Sequence, residues 1–102
     1  MNAEQKALAE SRAAICSVFA NVKRVMILWS LAEQEKSVTE ISQSIDASLQ
    51  NTSQHLHLMK RRSILESRRE GQTIYYRIAE NELLQGCVLM EAQKSRNLQA
   101  KG

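Results

Sequence analysis

Proline is absent from this chain, glycine occurs three times, and four aromatic side chains serve all 102 residues. Without proline, nothing breaks a helix from within. So few glycines leave no Gly-rich loop to cradle a phosphate, and no linker, repeat or low-complexity segment is visible. Scarce aromatics leave Ile, Leu, Val and Met to fill the interior. A chain of this size buries roughly two thirds of the surface it exposes when unfolded, so its own core is thin, and such cores are commonly completed by a second subunit. Cysteine is equally sparse. Cys16 and Cys87 stand 71 positions apart with no paired spacing, and reduced thiols are expected. No stretch approaches the roughly 18 apolar residues of a membrane span, and Met1 to Glu10 is polar with no apolar core. The expectation is one soluble domain over 1–102, cytoplasmic, with no membrane partner. No Ser/His/acid or Cys/His arrangement stands out, so neither an enzyme nor a cofactor is expected.

What is present is charge, unevenly spread. Residues 60–77 hold Lys60, Arg61, Arg62, Arg68, Arg69 and Arg77 against Glu66 and Glu70, a local +4 in a chain of net charge +3. A concentrated basic patch on a near-neutral body is the footprint of a phosphate binder; the competing reading is a solvated face with scattered Arg.

The apolar pattern gives the elements. Ala7, Leu8, Ile15, Val18 and Phe19 form one stripe of a helix over 3–19. Residues 22–32 form a second helix, apolar on nearly every side, which belongs in the middle of the domain. Ser37 and Glu40 have the spacing of a capping box and open a third helix ending near Ile45. Asp46 and Ala47 make a turn, and Ser48 caps a fourth helix running to about Arg62. Residues 65–69 and 73–78 alternate in the period of strands around Gly71, which supplies the positive φ of a tight hairpin. A last helix over 81–97 carries Leu83, Cys87 and Met90 on one line. The predicted fold class is mainly α with a small β-hairpin: about five helices and a two-stranded wing, in a winged helix-turn-helix with the helix-turn-helix at 37–62 and the wing at 65–78.

The fourth helix divides into two faces. Leu49, Thr52, Leu56 and Met59 cluster on one side, expected to be buried. Gln50, Gln54, His57 and Arg61 fall on the other, with Asn51 nearby and Ser53 on the flank; His55 lies on the inner flank and reads as structural. Gln and Asn match the edge of adenine bidentately and Arg that of guanine. The candidate DNA contacts are therefore Ser48, Gln50, Asn51, Ser53, Gln54, His57, Lys60 and Arg61, with Arg68, Arg69 and Gln72 near the hairpin tip. Plainer readings stand beside this: an amphipathic helix with a polar outer face, and a solvated loop. A winged helix used for protein contact, with weak DNA binding, is the alternative function.

Phe19-Ala20-Asn21 with Lys23-Arg24 and Ile27-Leu28, then Ser53-Gln54-His55-Leu56, then Arg68-Arg69, Gly71-Gln72 and Tyr75-Tyr76 make the chain resemble the ArsR/SmtB family of small winged-helix repressors, from about Phe19 to Leu84. The resemblance implies a homodimer built through the helices at 1–19 and 81–97, a two-fold double-stranded DNA operator, and repression relieved by an inducer. Val22 stands where the family usually has Pro. Ser63 stands where a Gly usually ends the recognition helix, and would be strained there if that position is left-handed. The positions of the family's metal ligands read Ser42 and Ser44 in the third helix, then Glu80, Glu82, Gln93 and Arg96. Hydroxyls are poor ligands for soft metals, so no metal site is expected. Some relatives sense oxidants or persulfides through Cys in the second and last helices. Trp29 occupies the second-helix position, which leaves Cys16 and Cys87 as a candidate thiol pair against the reading of two small buried hydrophobes.

Overall fold

The computed structural model describes residues 1–80, so the helix expected over 81–97, and Cys87 with it, lie outside the described residues. The first helix, α1 (Ala3–Val18), opens on Asn2: the Gln5 N–H donates to Asn2 Oδ1 at 2.8 Å, and the Asn2 N–H donates to Gln5 Oε1 at 3.2 Å. The expected stripe is only half covered. Ile15, Val18 and Phe19 enter the core, whereas Ala7 is exposed and Leu8 is 48% exposed. Asn21 caps α2 (Val22–Ser30), which meets α1 at 93°. Ile27 and Leu28 are completely buried, whereas Val22 at the start of the helix is 75% exposed, so only one face of α2 takes the central place expected of the whole helix.

Strand β1 (Lys36–Ser37) precedes α3 (Val38–Ser44), followed by α4 (Leu49–Arg61), β2 (Leu65–Glu70) and β3 (Thr73–Ile78). The expected two-stranded wing is a three-stranded antiparallel sheet in the order β1-β3-β2. Lys36 pairs with Tyr76 and Ser37 with Tyr75. A two-residue strand is too short to show alternation. Ser37 is also the N-cap of α3, with its capping-box signal intact, as Glu40 N–H donates to Ser37 Oγ and Ser37 N–H to a Glu40 carboxylate oxygen at 2.9 Å. The wing proper pairs from Leu65↔Ile78 to Glu70↔Thr73. That register leaves Gly71 and Gln72 as a two-residue loop. Gly71 at φ +64° is its first residue, the pattern of a type II′ turn that Gly accepts without steric cost.

Both ends of the helix-turn-helix are closed by residues other than glycine in left-handed geometry. After α3, Asp46 has φ 53°, with Ala47 N–H donating to Ser42 O at 3.0 Å and Asp46 N–H to Gln43 O at 3.3 Å. After α4, Ser63 has φ 63°, with Ile64 N–H donating to Met59 O at 2.9 Å and Ser63 N–H to Lys60 O at 3.0 Å. These are paired Schellman bonds, each followed by a residue that packs inward, Ala47 and Ile64. The strain expected at Ser63 is therefore present.

The core joins all of these elements through Ile41, Ile45, Leu56, Met59, Ile64, Leu65 and Tyr76, together with the residues of α1 and α2 named above and Leu31. Burial raises the Tyr76 hydroxyl above its ordinary pKa. Leu49 departs from expectation. Helical spacing places it on the buried side with Thr52, Leu56 and Met59, yet it is 53% exposed. As the first residue of α4 it stands a full turn ahead of Thr52, where the helix has outrun the core. Ile74, near the wing tip, is likewise 40% exposed while Tyr76 on the same face is buried.

Two substitutions test this packing. Thr52 is fully buried, and among the described residues its hydroxyl finds no hydrogen-bond partner. Thr52→Val, which keeps the shape and removes an unsatisfied polar atom, is expected to raise the unfolding free energy by about 1 kcal/mol. Ser63→Gly relieves the left-handed strain and is expected to stabilise by about 1 kcal/mol as well. Denaturant unfolding reads both; a loss of stability in either variant contradicts the corresponding assignment.

Candidate nucleic-acid interface

Helix α4 lays out its polar residues as a continuous outer surface. Gln50, Asn51, Gln54, His57, Lys60 and Arg61 are exposed, and Ser53 is half-buried on the flank. Gln50, Gln54, His57 and Arg61 recur at helical spacing and so share a face, with two amides and a guanidinium aimed outward in one row. Ser48 has a structural duty: its Oγ accepts the Asn51 N–H at 3.0 Å as N-cap.

The row is held in place from behind. Arg24 Nε donates to His55 Nδ1 at 3.2 Å, and Arg24 Nη1 donates to the Val18 carbonyl at 3.2 Å. One guanidinium thus ties the end of α1 to the middle of α4. Lys23 Nζ donates to the Ile45 carbonyl at 3.0 Å, satisfying the C-terminal end of α3 at the turn. Burial, followed by the charges of Arg24 and Lys23, pushes the His55 imidazole below its ordinary value, which keeps Nδ1 able to accept. The structural role expected of His55 is the one found. Lys23 and Arg24 belong to the family motif, but sequence reasoning assigns them no work. Their partners lie 22 and 31 residues away, beyond the reach of any local pattern.

The wing sorts its charges by face. Glu66, Arg68 and Glu70 alternate onto one side with Tyr75 and Arg77, while Ser67 and Arg69 take the other. On the first side Arg68 makes a fork with Glu35, Nε lying 3.0 and 3.1 Å from the two carboxylate oxygens. It also pairs with Glu70 at 2.8 Å and lies 4.6 Å from the Tyr75 ring centre. Arg77 pairs with Glu66. The hydrogen bonds from Arg68 hold the Glu35 carboxyl below the usual range and raise the guanidinium's own pKa. The second side belongs with α4, since Lys60 Nζ donates to Ser67 Oγ at 2.7 Å. Arg69 on that side folds over its own turn, Nε to the Gly71 carbonyl at 3.0 Å, beside exposed Gln72. Arg69 thus stands with α4, whereas Arg68 is committed to carboxylates on the opposite side. Among the described residues, Arg61 and Arg62 form no ion pair.

This architecture has close counterparts. The family model described as bacterial regulatory protein, arsR family, matches residues 21–67. The structure of NolR from Sinorhizobium fredii is 32% identical, with a TM-score of 0.72, covering 83% of this chain and 85% of that one. The chain belongs to the ArsR family. The HTH-type transcriptional regulator KmtR of Mycobacterium tuberculosis is 38% identical over 72 residues, 71% of this chain and 55% of that protein. A homodimeric winged helix-turn-helix DNA-binding domain from Mycobacterium bovis is 29% identical with a TM-score of 0.75, covering 98% of this chain and 93% of that one. The chain spans between 55% and 64% of the length of the first curated relatives it matches.

Against the ArsR pattern, the two serines of α3 are engaged within their own helix. Ser42 Oγ donates to the Thr39 carbonyl at 2.8 Å and Ser44 Oγ to the Glu40 carbonyl at 2.9 Å. Among the described residues Cys16 is exposed on α1, where nothing buries it as the competing reading expects. No single described helix is long and apolar enough to cross a membrane.

The Arg24–His55 bond has a pH signature. A His with a folded pKa below the ordinary 6.5 contributes stability that is complete above 6.5 and lost as pH falls through the lowered value. Unfolding free energy is expected to decline as pH falls below about 6.5, a window that opens above that in which Glu35 and Glu40 are protonated. His55→Gln keeps an acceptor for Arg24 and is expected to remove that slope. A slope surviving in the variant assigns it to other groups.

Proposed function

We propose that this protein is a sequence-specific DNA-binding transcriptional repressor that works in the cytoplasm as a homodimer on a two-fold operator and is released by an inducer. The observation that carries the reading is the outward row of Gln50, Gln54, His57 and Arg61 on a helix anchored by Arg24 and His55. Such a row suits base edges in the major groove, with Asn51 and Ser53 beside it and Lys60 at the wing junction. Arg69 and Gln72 supply the wing contact. Arg68, tied to Glu35 and Glu70, sets the wing's position instead of meeting phosphate. Family membership supports the repressor reading. The exposed end of α1, with Ala7 and Leu8 uncovered, supports pairing of two copies, as does the homodimeric M. bovis relative. Two-fold pairing puts the half-sites about 10–10.5 base pairs apart, or a multiple of that.

The candidate sensor of the releasing signal is the thiol pair Cys16 and Cys87, of which Cys16 is exposed on α1.

The test is DNA binding at several salt concentrations, on an operator selected by the protein from random sequence. Affinity is expected to fall steeply with salt as phosphate contacts release counterions. Gln54→Ala is expected to relax base preference. Arg69→Ala is expected to weaken binding to all sequences alike and to reduce the salt slope by about 1, with Arg68→Ala leaving the slope intact. If Gln54→Ala leaves both affinity and preference unchanged, α4 does not read the DNA. A salt-insensitive complex with a protein partner supports the protein-contact module instead.

A further inference from the structure

Among the described residues, Leu49 is the only large hydrophobic side chain of α4 left more than half in water, at 53% exposure. Its neighbours Ser48, Gln50 and Asn51 are polar and largely open to solvent, so no apolar patch surrounds it in sequence. Leu56 and Met59, its apparent partners by helical spacing, are completely buried and do not extend their cluster to it. A lone leucine at the first position of a helix contributes little to the core of this chain. Its place is informative. It lies one turn ahead of Ser53, between the buried side of α4 and the Gln50, Gln54, His57 and Arg61 row. In a helix-turn-helix, the N-terminal residues of the second helix come nearest the base edges.

The major-groove edge of a base pair carries one apolar group, the 5-methyl of thymine. We infer that Leu49 is a specificity-determining residue that packs against a thymine methyl in each half-site. This rests on the DNA-reading role proposed above for α4 and deepens it. The residues beside Leu49, Gln50 and Asn51, present amides suited to hydrogen bonding with adenine. The leucine side chain can neither donate nor accept, so it discriminates only by the apolar surface it covers. It favours thymine over cytosine, which offers an amino group and no methyl at the same edge. The contact also dehydrates a side chain that the protein alone leaves wet.

Replacing thymine by deoxyuridine removes the methyl and keeps every hydrogen-bonding atom. The experiment takes the operator selected by the protein itself and scans each thymine to deoxyuridine, symmetrically in both half-sites, against the full-length protein and Leu49→Ala. The expected result is one thymine position at which substitution weakens the wild-type protein about fourfold per half-site, the worth of one buried methyl group. The same substitution is expected to be silent for Leu49→Ala. Because Leu49 is exposed, the variant folds as the parent does, which thermal unfolding verifies. Wild-type binding indifferent to every deoxyuridine overturns the inference while the reading of α4 stands. A Leu49→Ala protein that still senses the same methyl also overturns it. Failure to select any operator removes the DNA-reading role, and this inference with it.

Discussion

The arrangement of this molecule depends on Arg24. Its backbone N–H donates to the Asn21 side chain to start α2, and its guanidinium joins the Val18 carbonyl to the His55 ring. Three helices are fixed by one residue. The bond to His55 needs a neutral imidazole with Nδ1 as acceptor, and partial burial beside two cations supplies that state. The outward row of α4 is therefore aimed by contacts on its hidden side, and the residues that aim it never meet the surface they serve. The guanidinium thus bridges the end of α1 to α4 through one bond on each side.

The wing obeys a second constraint, the alternation of a strand. Counting charge along residues 60–77 gives a strongly basic segment, but counting by face divides it. Glu35, Glu66 and Glu70 balance Arg68 and Arg77 on one side, leaving Arg69 with α4 on the other. Isolated exposed ion pairs contribute little to stability. A forked Arg–carboxylate contact stacked on Tyr75 is directional, however, and it fastens the wing to the segment that leads into β1. The basic patch is thus divided, part of it paired with carboxylates and part left open beside α4.

Local signals in the sequence are good guides. Ser37 with Glu40, Ser48, the Asp46 turn and Gly71 each act within about four residues of themselves, and each is found where the pattern places it. The burial of Thr52, Leu56 and Met59 follows from helical period. What sequence does not disclose is non-local or terminal. Strand β1 exists only because Tyr75 and Tyr76 are there to pair with it. Lys23 and Arg24 look like ordinary surface cations until α3 and α4 are brought to them. Leu49 obeys the period and fails at the end of the helix, because a wheel drawn on sequence has no knowledge of where the core stops. The sidedness of Arg68 and Arg69 is implicit in strand alternation, but the commitment of Arg68 depends on Glu35, 33 residues away.

These constraints divide the chain into two halves with different needs. From Phe19 onward the described helices and strands bury a shared core and satisfy their ends with caps, Schellman bonds and the Lys23 contact. Before Phe19, α1 contributes only Ile15 and Val18 and carries Ala7, Leu8 and Cys16 into solvent. Helix propensity and the Asn2–Gln5 capping box sustain that projecting part, and an isolated helix of such length is marginal in water. Its last turn is where the halves meet: the Cys16 carbonyl accepts the Phe19 N–H, and two residues on from Cys16 the Val18 carbonyl accepts Arg24. A surface that covers α1 is therefore continuous, through the Val18 carbonyl and the Arg24 guanidinium, with the hidden side of α4.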